Sequence, residues 1–124
     1  MTDADDRADR SILLVDDDDA FRSVMARALE ARGHRVLVAG NYGDAVVILR
    51  LRAPRYAVVD LQMPGASGLD LLRSIKELRP GTVVAMLSGN RSDALEAEAM
   101  RLGGAKYLTK PLDADQLIAA LLGA

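Results

Sequence analysis

The sequence contains no cysteine and no tryptophan, and aromatic residues make up 3% of its 124 positions. The lack of cysteine excludes disulfides, thiol catalysis and cysteine-ligated metals. The formal net charge of -2 argues against a surface built to bind nucleic acid or an anionic membrane. No apolar run approaches the roughly 20 residues that span a bilayer. We therefore expect a cytoplasmic protein that contacts neither nucleic acid nor membrane directly.

The rest of the composition is typical of one small globular domain. Half of the residues are hydrophobic, and because Phe21 is the only phenylalanine, the core must consist mainly of Leu, Val, Ile, Ala and Met. The first ten residues, MTDADDRADR, are polar and acidic, unlike a secretory signal. We predict a flexible N-terminus over residues 1–10 and one folded domain over residues 11–124.

Short apolar runs alternate with segments of helical periodicity along this domain. The runs predict strands at residues 12–15, 36–39, 56–59, 83–87 and 107–108. The periodic segments predict helices that start near Asp18 or Asp19, Asn41, Leu69, Ser92 and Asp113, and that end before Gly33, Pro54, Pro80-Gly81, Gly103 and Gly123. This alternation predicts an α/β fold: a doubly wound, five-stranded parallel sheet with five helices covering both faces.

Polar side chains follow four of the five predicted strands. Strand one is followed by residues 16–19, all Asp, strand three by Asp60, strand four by Ser88 and strand five by Lys110. The carboxyl ends of parallel strands meet at one edge of a sheet, so these groups converge. Converging carboxylates repel one another, and Mg²⁺ relieves the repulsion because it prefers oxygen ligands. With a lysine and a hydroxyl nearby, the edge would suit a phosphoryl group attacked by a fixed carboxylate.

Four motifs in this order resemble the receiver domains of response regulators, the phosphoacceptor part of bacterial two-component signalling. They are LLVDDDDAFR, VVDLQMPGASG, the Ser88-Gly89 step and GGAKYLTKP, and the resemblance covers residues 11–122. It implies the flavodoxin-like fold with strand order 2-1-3-4-5. It also implies Mg²⁺ as the cofactor, for which Mn²⁺ can substitute.

The resemblance implies a role for each residue that matches the acidic part of the family's pattern. Asp60 corresponds to the phosphoacceptor. Asp16 and Asp17 correspond to the acidic pair that holds the metal together with Asp60 and the backbone carbonyl of Gln62. The side chains of Gln62 and Asn90 correspond to positions that set the lifetime of the phosphoryl group.

The remaining matches concern phosphate binding and switching. Ser88, the amide of Gly89 and Lys110 correspond to groups that contact the phosphoryl oxygens. Ser88 and Tyr107 correspond to the pair that changes position on phosphorylation. The Lys110-Pro111 peptide bond is expected to be cis, an isomer that is essentially confined to proline.

The function implied is that of a switch. A sensor histidine kinase would donate a phosphoryl group from a phosphohistidine to Asp60, and the chain would catalyse only its own phosphorylation and dephosphorylation. The face formed by the fourth helix, fifth strand and fifth helix would then control a homodimer or an effector. The chain resembles the N-terminal part of DNA-binding transcription regulators, and YAVVDL with GLDLL is similar to redox- and photosynthesis-responsive members. We expect no output domain within the 124 residues.

Two alternatives remain at this stage. One is a Mg²⁺-dependent phosphohydrolase with an aspartyl-phosphate intermediate, and the other is a docking module that works without phosphate. Such hydrolases carry a second acid two residues after the nucleophile, where this chain has Gln62. Arg22 is interpreted as a surface charge, and His34 as a turn residue without a ligand role.

Overall fold

Five parallel strands form a single sheet in the order β2-β1-β3-β4-β5. The computed structural model describes residues 10–63, 65, 67–90, 92–104 and 106–123. The strands are β1 (Ile12–Val15), β2 (Val36–Ala39), β3 (Tyr56–Asp60), β4 (Val83–Ser88) and β5 (Lys106–Thr109). The helices are α1 (Asp19–Ala31), α2 (Tyr42–Leu51), α3 (Gly68–Leu78), α4 (Asp93–Arg101) and α5 (Ala114–Leu122). The predicted α/β fold class and strand order are confirmed.

Polar residues at the strand ends account for most differences between the predicted and the observed strand bounds. β3 and β4 each extend one residue beyond the predicted apolar run, because Asp60 and Ser88 still occupy ladder positions opposite Leu87 and Thr109. β5 is likewise longer than predicted by one residue at each end. The two phosphate-site candidates, Asp60 and Ser88, are therefore part of the sheet and not of the loops that follow it.

The helix starts follow the caps that the sequence provides. Asp18, one of the two predicted alternatives, is the N-cap of α1 and accepts a hydrogen bond from Phe21 N. Asn41 and Asp113 cap α2 and α5 as predicted. Ser92 is the N-cap of α4 and lies just outside the helix. The helix α2 ends before Pro54, as predicted: its last residue is Leu51, and Arg52 is already extended.

Aliphatic side chains fill both faces of the sheet. β1 alternates between them: Leu13 and Val15 pack with α2, α3 and α4, and Ile12 and Leu14 pack with α1 and α5. All four β1 side chains are buried. Since β1 and β3 are neighbours in the middle of the sheet, their carboxyl ends are held by packing on two sides, which fixes the acids that follow.

Two predictions concern the ends of the chain and its relation to membranes. Residues 1–9 lie outside the described residues, so the flexible N-terminus and the boundary of the folded domain at residue 11 stay predictions. In the part of the chain that the structure describes, no helix has both the length and the apolar character needed to cross a membrane.

Candidate functional site

Asp60 ends β3 at the carboxyl edge of the sheet and is 6% exposed. Its Oδ1 accepts a hydrogen bond from the backbone N of Gln62 at 3.1 Å, and the next residue, Leu61, donates its N–H to Leu87 O at 2.8 Å. The side chain of Gln62 itself is exposed. The strand and the turn together hold the Asp60 carboxylate still, so little reorganisation is needed for it to react.

Three carboxylates from two segments meet beside β1 and β3. Each of Asp16, Asp17 and Asp60 contributes one carboxylate oxygen, and these three oxygens lie within 4.8 Å of one another. Asp16 is fully buried and its Oδ1 accepts from Asp18 N at 2.9 Å, whereas Asp17 is exposed. A set of carboxylate oxygens with one side open to solvent fits a hard divalent cation that keeps some of its waters.

Lys110 supplies the positive charge of the site. Its Nζ lies 2.8 Å from Asp16 Oδ2 and 3.9 Å from Asp60 Oδ2. The shorter contact is an ion pair without hydrogen-bond alignment. Nζ also lies 4.4 Å from the centroid of the Phe21 ring, a cation–π contact. The Lys110-Pro111 bond is cis, and Lys110 N donates to Ser88 O at 2.7 Å, which ties the loop after β5 to β4.

The pKa of Asp60 is raised from 3.8 to about 6, chiefly by burial. The negative charge of Asp16 and the neighbouring Asp17 carboxyl also raise this pKa, while the Gln62 N–H and the Lys110 ammonium lower it. The groups of the protein therefore do not fully offset the burial of the Asp60 charge and its repulsion by Asp16. A bound cation would offset both.

The raised pKa of Asp60 has a measurable effect on stability. A carboxyl whose pKa is higher in the folded state favours folding below pH 4, and this contribution is lost as pH rises through about 6. Replacing Asp60 by Asn should therefore raise the free energy of unfolding at pH 7 by up to about 3 kcal/mol without divalent metal.

The difference between Asp60→Asn and wild type should disappear near pH 4. Chemical denaturation in chelator at several pH values measures it. If Asp60→Asn were equally stable to wild type at pH 7, or less stable, the electrostatic conflict at this site would be refuted.

Ser88, Asn90 and Tyr107 form a second group beside Asp60. The Ser88 hydroxyl donates to Asn90 O at 2.7 Å and accepts from Asn90 N at 3.1 Å. The Tyr107 ring is buried, and its hydroxyl donates to the same Asn90 carbonyl at 3.5 Å. Gly89 and the Asn90 side chain are exposed. The hydroxyl of Ser88 would have to leave Asn90 O in order to contact a phosphoryl group.

Arg22 corrects an interpretation made from the sequence. It is not a free surface charge: its Nη1 donates to Asp16 O at 2.5 Å, and its Nη2 lies 2.6 Å from Asp19 Oδ1. Arg22 thus fixes the backbone between the two acids of the pair. The sequence carries a usable signal, because Arg22 lies in the first turn of a helix that starts directly after the acidic run. Phe21, whose ring lies beneath Lys110, was not identified as a site residue from the sequence either, although it lies in the same first turn of the helix.

Gly68, the first residue of α3, packs against the backbone that carries Asp60. A Cβ at this position would lie 2.4 Å from Asp60 O and 2.7 Å from Leu61 Cα. Ser67 caps α3 in a capping box with Asp70, which keeps the helix start close to the strand end. The close approach explains why a glycine stands here, eight residues after Asp60.

Gly68→Ala should displace the end of β3 and lower the free energy of unfolding by about 1 to 3 kcal/mol. It should also slow phosphoryl uptake at Asp60, because the nucleophile moves. Gly81→Ala is the matched control, since a Cβ there meets nothing within 4 Å. Denaturation curves and uptake rates of both variants check this, and equal behaviour would contradict the role assigned to the contact.

Comparisons with known proteins agree with this geometry. Residues 12–122 match the model of the response regulator receiver domain, so the chain belongs to the response regulator receiver domain family. The acid tolerance regulatory protein ActR of Rhizobium meliloti is 41% identical over 92% of this chain and 59% of its own length. The photosynthetic apparatus regulatory protein RegA of Rhodobacter capsulatus is 40% identical over 93% of this chain and 62% of its own length. The chain thus spans about three fifths of these relatives.

Solved structures lead to the same family. A response regulator from Burkholderia pseudomallei, with a phosphorylated aspartic acid, a calcium ion and citrate, has a TM-score of 0.87 at 33% identity and covers 91% of this chain and 66% of its own. A receiver domain from Methanospirillum hungatei has a TM-score of 0.84 at 28% identity and covers 88% of this chain and 87% of its own. The predicted family is confirmed, and the chain is a receiver domain of a two-component response regulator.

Proposed function

We propose that Asp60 accepts a phosphoryl group from the phosphohistidine of a sensor kinase. An Oδ atom of Asp60 forms the new P–O bond in line with the breaking P–N bond, and the imidazole leaves with the electron pair and takes up a proton. The observation that carries the proposal is the convergence of Asp16, Asp17 and Asp60 within 4.8 Å, beside Lys110.

A magnesium ion fits the donor set, with Mn²⁺ as a substitute. Asp16, Asp17 and Asp60 would hold it through carboxylate oxygens and Gln62 through its backbone carbonyl, the remaining positions being water and a phosphoryl oxygen. Bound there, the ion offsets the charge that develops on the transferring group. The calcium ion in the related Burkholderia structure supports a hard divalent cation.

Lys110 and Ser88 are the groups that would respond to the new phosphate. Lys110 Nζ is 3.9 Å from Asp60 Oδ2 and needs a small movement to contact a phosphoryl oxygen. Ser88 Oγ would exchange Asn90 O for another phosphoryl oxygen, with the N–H of Gly89 as a second donor. The exposed side chains of Gln62 and Asn90 lie next to this position and would control how water reaches the acyl phosphate.

The switch would act through Asn90. Since Ser88 and Tyr107 both donate to the Asn90 carbonyl, withdrawal of the Ser88 hydroxyl would take away one of these two donors and so alter the group that Tyr107 contacts. Tyr107 lies in β5, between α4 and α5, so the face formed by α4, β5 and α5 would be the surface that changes. Phosphorylation then biases two states that already exist, and this face controls a homodimer or an effector.

The wider role follows from the relatives. ActR and RegA are named as regulatory proteins, and the chain covers about three fifths of each. We infer a cytoplasmic signalling role in which the domain catalyses only its own phosphorylation and dephosphorylation, within a transcription regulator.

Mass spectrometry after incubation with a small acyl-phosphate donor and Mg²⁺ tests the function. The switch predicts a gain of one phosphoryl group that is absent in chelator and decays slowly on removal of the donor. Rapid turnover of varied phosphate esters would favour the phosphohydrolase, and no gain in mass would favour the docking module.

A further inference from the structure

A cavity of about 480 Å³ lies at the amino edge of the sheet, opposite the carboxylates. Its lining combines three arginines and a histidine with one aromatic and one aliphatic side chain: Arg10, His34, Arg35, Arg55, Tyr56 and Leu122. Among the described residues, no acidic side chain lines it. A local excess of positive charge is unexpected in a chain whose net charge is -2.

The strand register brings these arginines together. Arg35 and Arg55 directly precede β2 and β3, the two strands that flank β1. Ile12 N donates to Arg35 O at 2.9 Å, and Arg55 N donates to Ser11 O at 3.0 Å, so both residues lie level with the start of β1. Two strand spacings separate their backbones by roughly 10 Å. Arg10 lies between them, at the entry to β1.

The helix ends near this edge do not account for the arginines. Carboxyl ends of helices attract cations, and Arg79 shows the usual form of this contact: its Nε donates to Leu49 O at 2.8 Å and to Arg52 O at 3.0 Å at the end of α2. In the described part of the chain, the guanidinium groups of Arg35 and Arg55 have neither such carbonyl contacts nor a carboxylate partner. Their side chains are exposed and available to a ligand.

We propose that this cavity binds a small molecule carrying linked phosphate groups. Guanidinium groups bind phosphate through two parallel hydrogen bonds, and two linked phosphates offer one phosphate group each to Arg35 and Arg55, which lie on either side of β1. The volume is in the range of small-molecule sites. The half-buried Tyr56 ring and Leu122 provide an apolar wall for an attached organic group.

The site is separate from the phosphoacceptor. Arg55 and Asp60 stand at opposite ends of β3, roughly 16 Å apart along the strand. Loss of ligand binding at the cavity should therefore leave phosphoryl uptake at Asp60 unchanged, and failure of either proposal does not affect the other.

Amide and arginine side-chain NMR signals of the full chain, followed during titration with pyrophosphate and separately with ATP, test the proposal. We expect shifts confined to residues around Arg35 and Arg55, and binding that weakens as salt is raised. Equal affinity for both probes identifies the phosphates as the recognised group, and tighter binding of ATP identifies a nucleotide. Shifts spread over the whole surface, or none at the cavity, would overturn the proposal.

Charge reversal provides the matched comparison. Arg35→Glu and Arg55→Glu should each weaken pyrophosphate binding by at least about tenfold. Arg27→Glu, an exposed arginine of α1 that does not line the cavity, should change it little. Thermal melting of each variant checks that the fold is intact. An equal loss in Arg27→Glu would show that only overall charge matters and would refute a defined site.

Discussion

Asp60→Asn should abolish the gain of one phosphoryl group on incubation with an acyl-phosphate donor and Mg²⁺. The amide nitrogen is not a nucleophile for phosphorus, and no other described carboxylate is held at the same position by β3. Asn keeps the shape of Asp and relieves burial of a charge, so the variant should stay folded. The measurement is the intact mass of the protein with time after addition of the donor.

Glu77→Gln is the matched control for Asp60→Asn, because it makes the same chemical change at an exposed position of α3. It should accept a phosphoryl group at the wild-type rate. A phosphorylated Asp60→Asn protein would mean that a different residue is the acceptor. Peptide mapping of that product would then identify it and contradict the assignment.

Lys110→Met should lower the free energy of unfolding by about 2 to 3 kcal/mol, measured without divalent metal at pH 7. Removal of the ammonium leaves the fully buried Asp16 without the cation at 2.8 Å and leaves Asp60 with one less favourable charge. The Lys110 side chain is 21% exposed, so solvent screens part of the loss. Methionine retains most of the packing against Phe21.

Addition of Mg²⁺ should restore part of the stability of Lys110→Met, because the ion takes over the neutralisation of the acids. Lys106→Met, an exposed lysine at the start of β5, should change stability by no more than about 0.5 kcal/mol. Denaturant titrations of both variants with and without Mg²⁺ provide the comparison. Wild-type stability in Lys110→Met would show that the ion pair with Asp16 contributes nothing.

The parts of the fold that depend on local chemistry could be predicted from the sequence. Apolar runs gave β1 and β2 with their observed bounds, and Asn41 and Asp113 marked helix starts, because both signals act over a few residues. The ends of β3 and β4 were less clear, because Asp60 and Ser88 are polar residues in ladder positions. Membership of a strand there is decided by pairing with a neighbour.

Prediction of the functional site required more than the spacing of its residues along the sequence. The strand-end rule placed Asp16, Asp17, Asp60 and Lys110 at one edge, and the distances bear this out. It did not reveal that Lys110 pairs more closely with Asp16 than with Asp60. Those contacts depend on side-chain directions set by packing between distant elements.

The contributions of α1 were missed for a similar reason. Arg22 reaches back to the Asp16 carbonyl, and Phe21 lies beneath Lys110. Both residues were assigned to an ordinary amphipathic helix, whose periodicity identifies the face that packs on the sheet. It does not indicate what the first turn does when it begins directly beside a cluster of acids.

Magnesium titration by calorimetry at neutral pH tests the central claim most directly, namely that Asp16, Asp17 and Asp60 share one ion. The account predicts one site in the wild type and in Glu77→Gln, with affinity reduced by at least about tenfold in Asp17→Asn and in Asp60→Asn. Wild-type affinity in Asp60→Asn would contradict it, because the ion would then bind without the proposed phosphoacceptor.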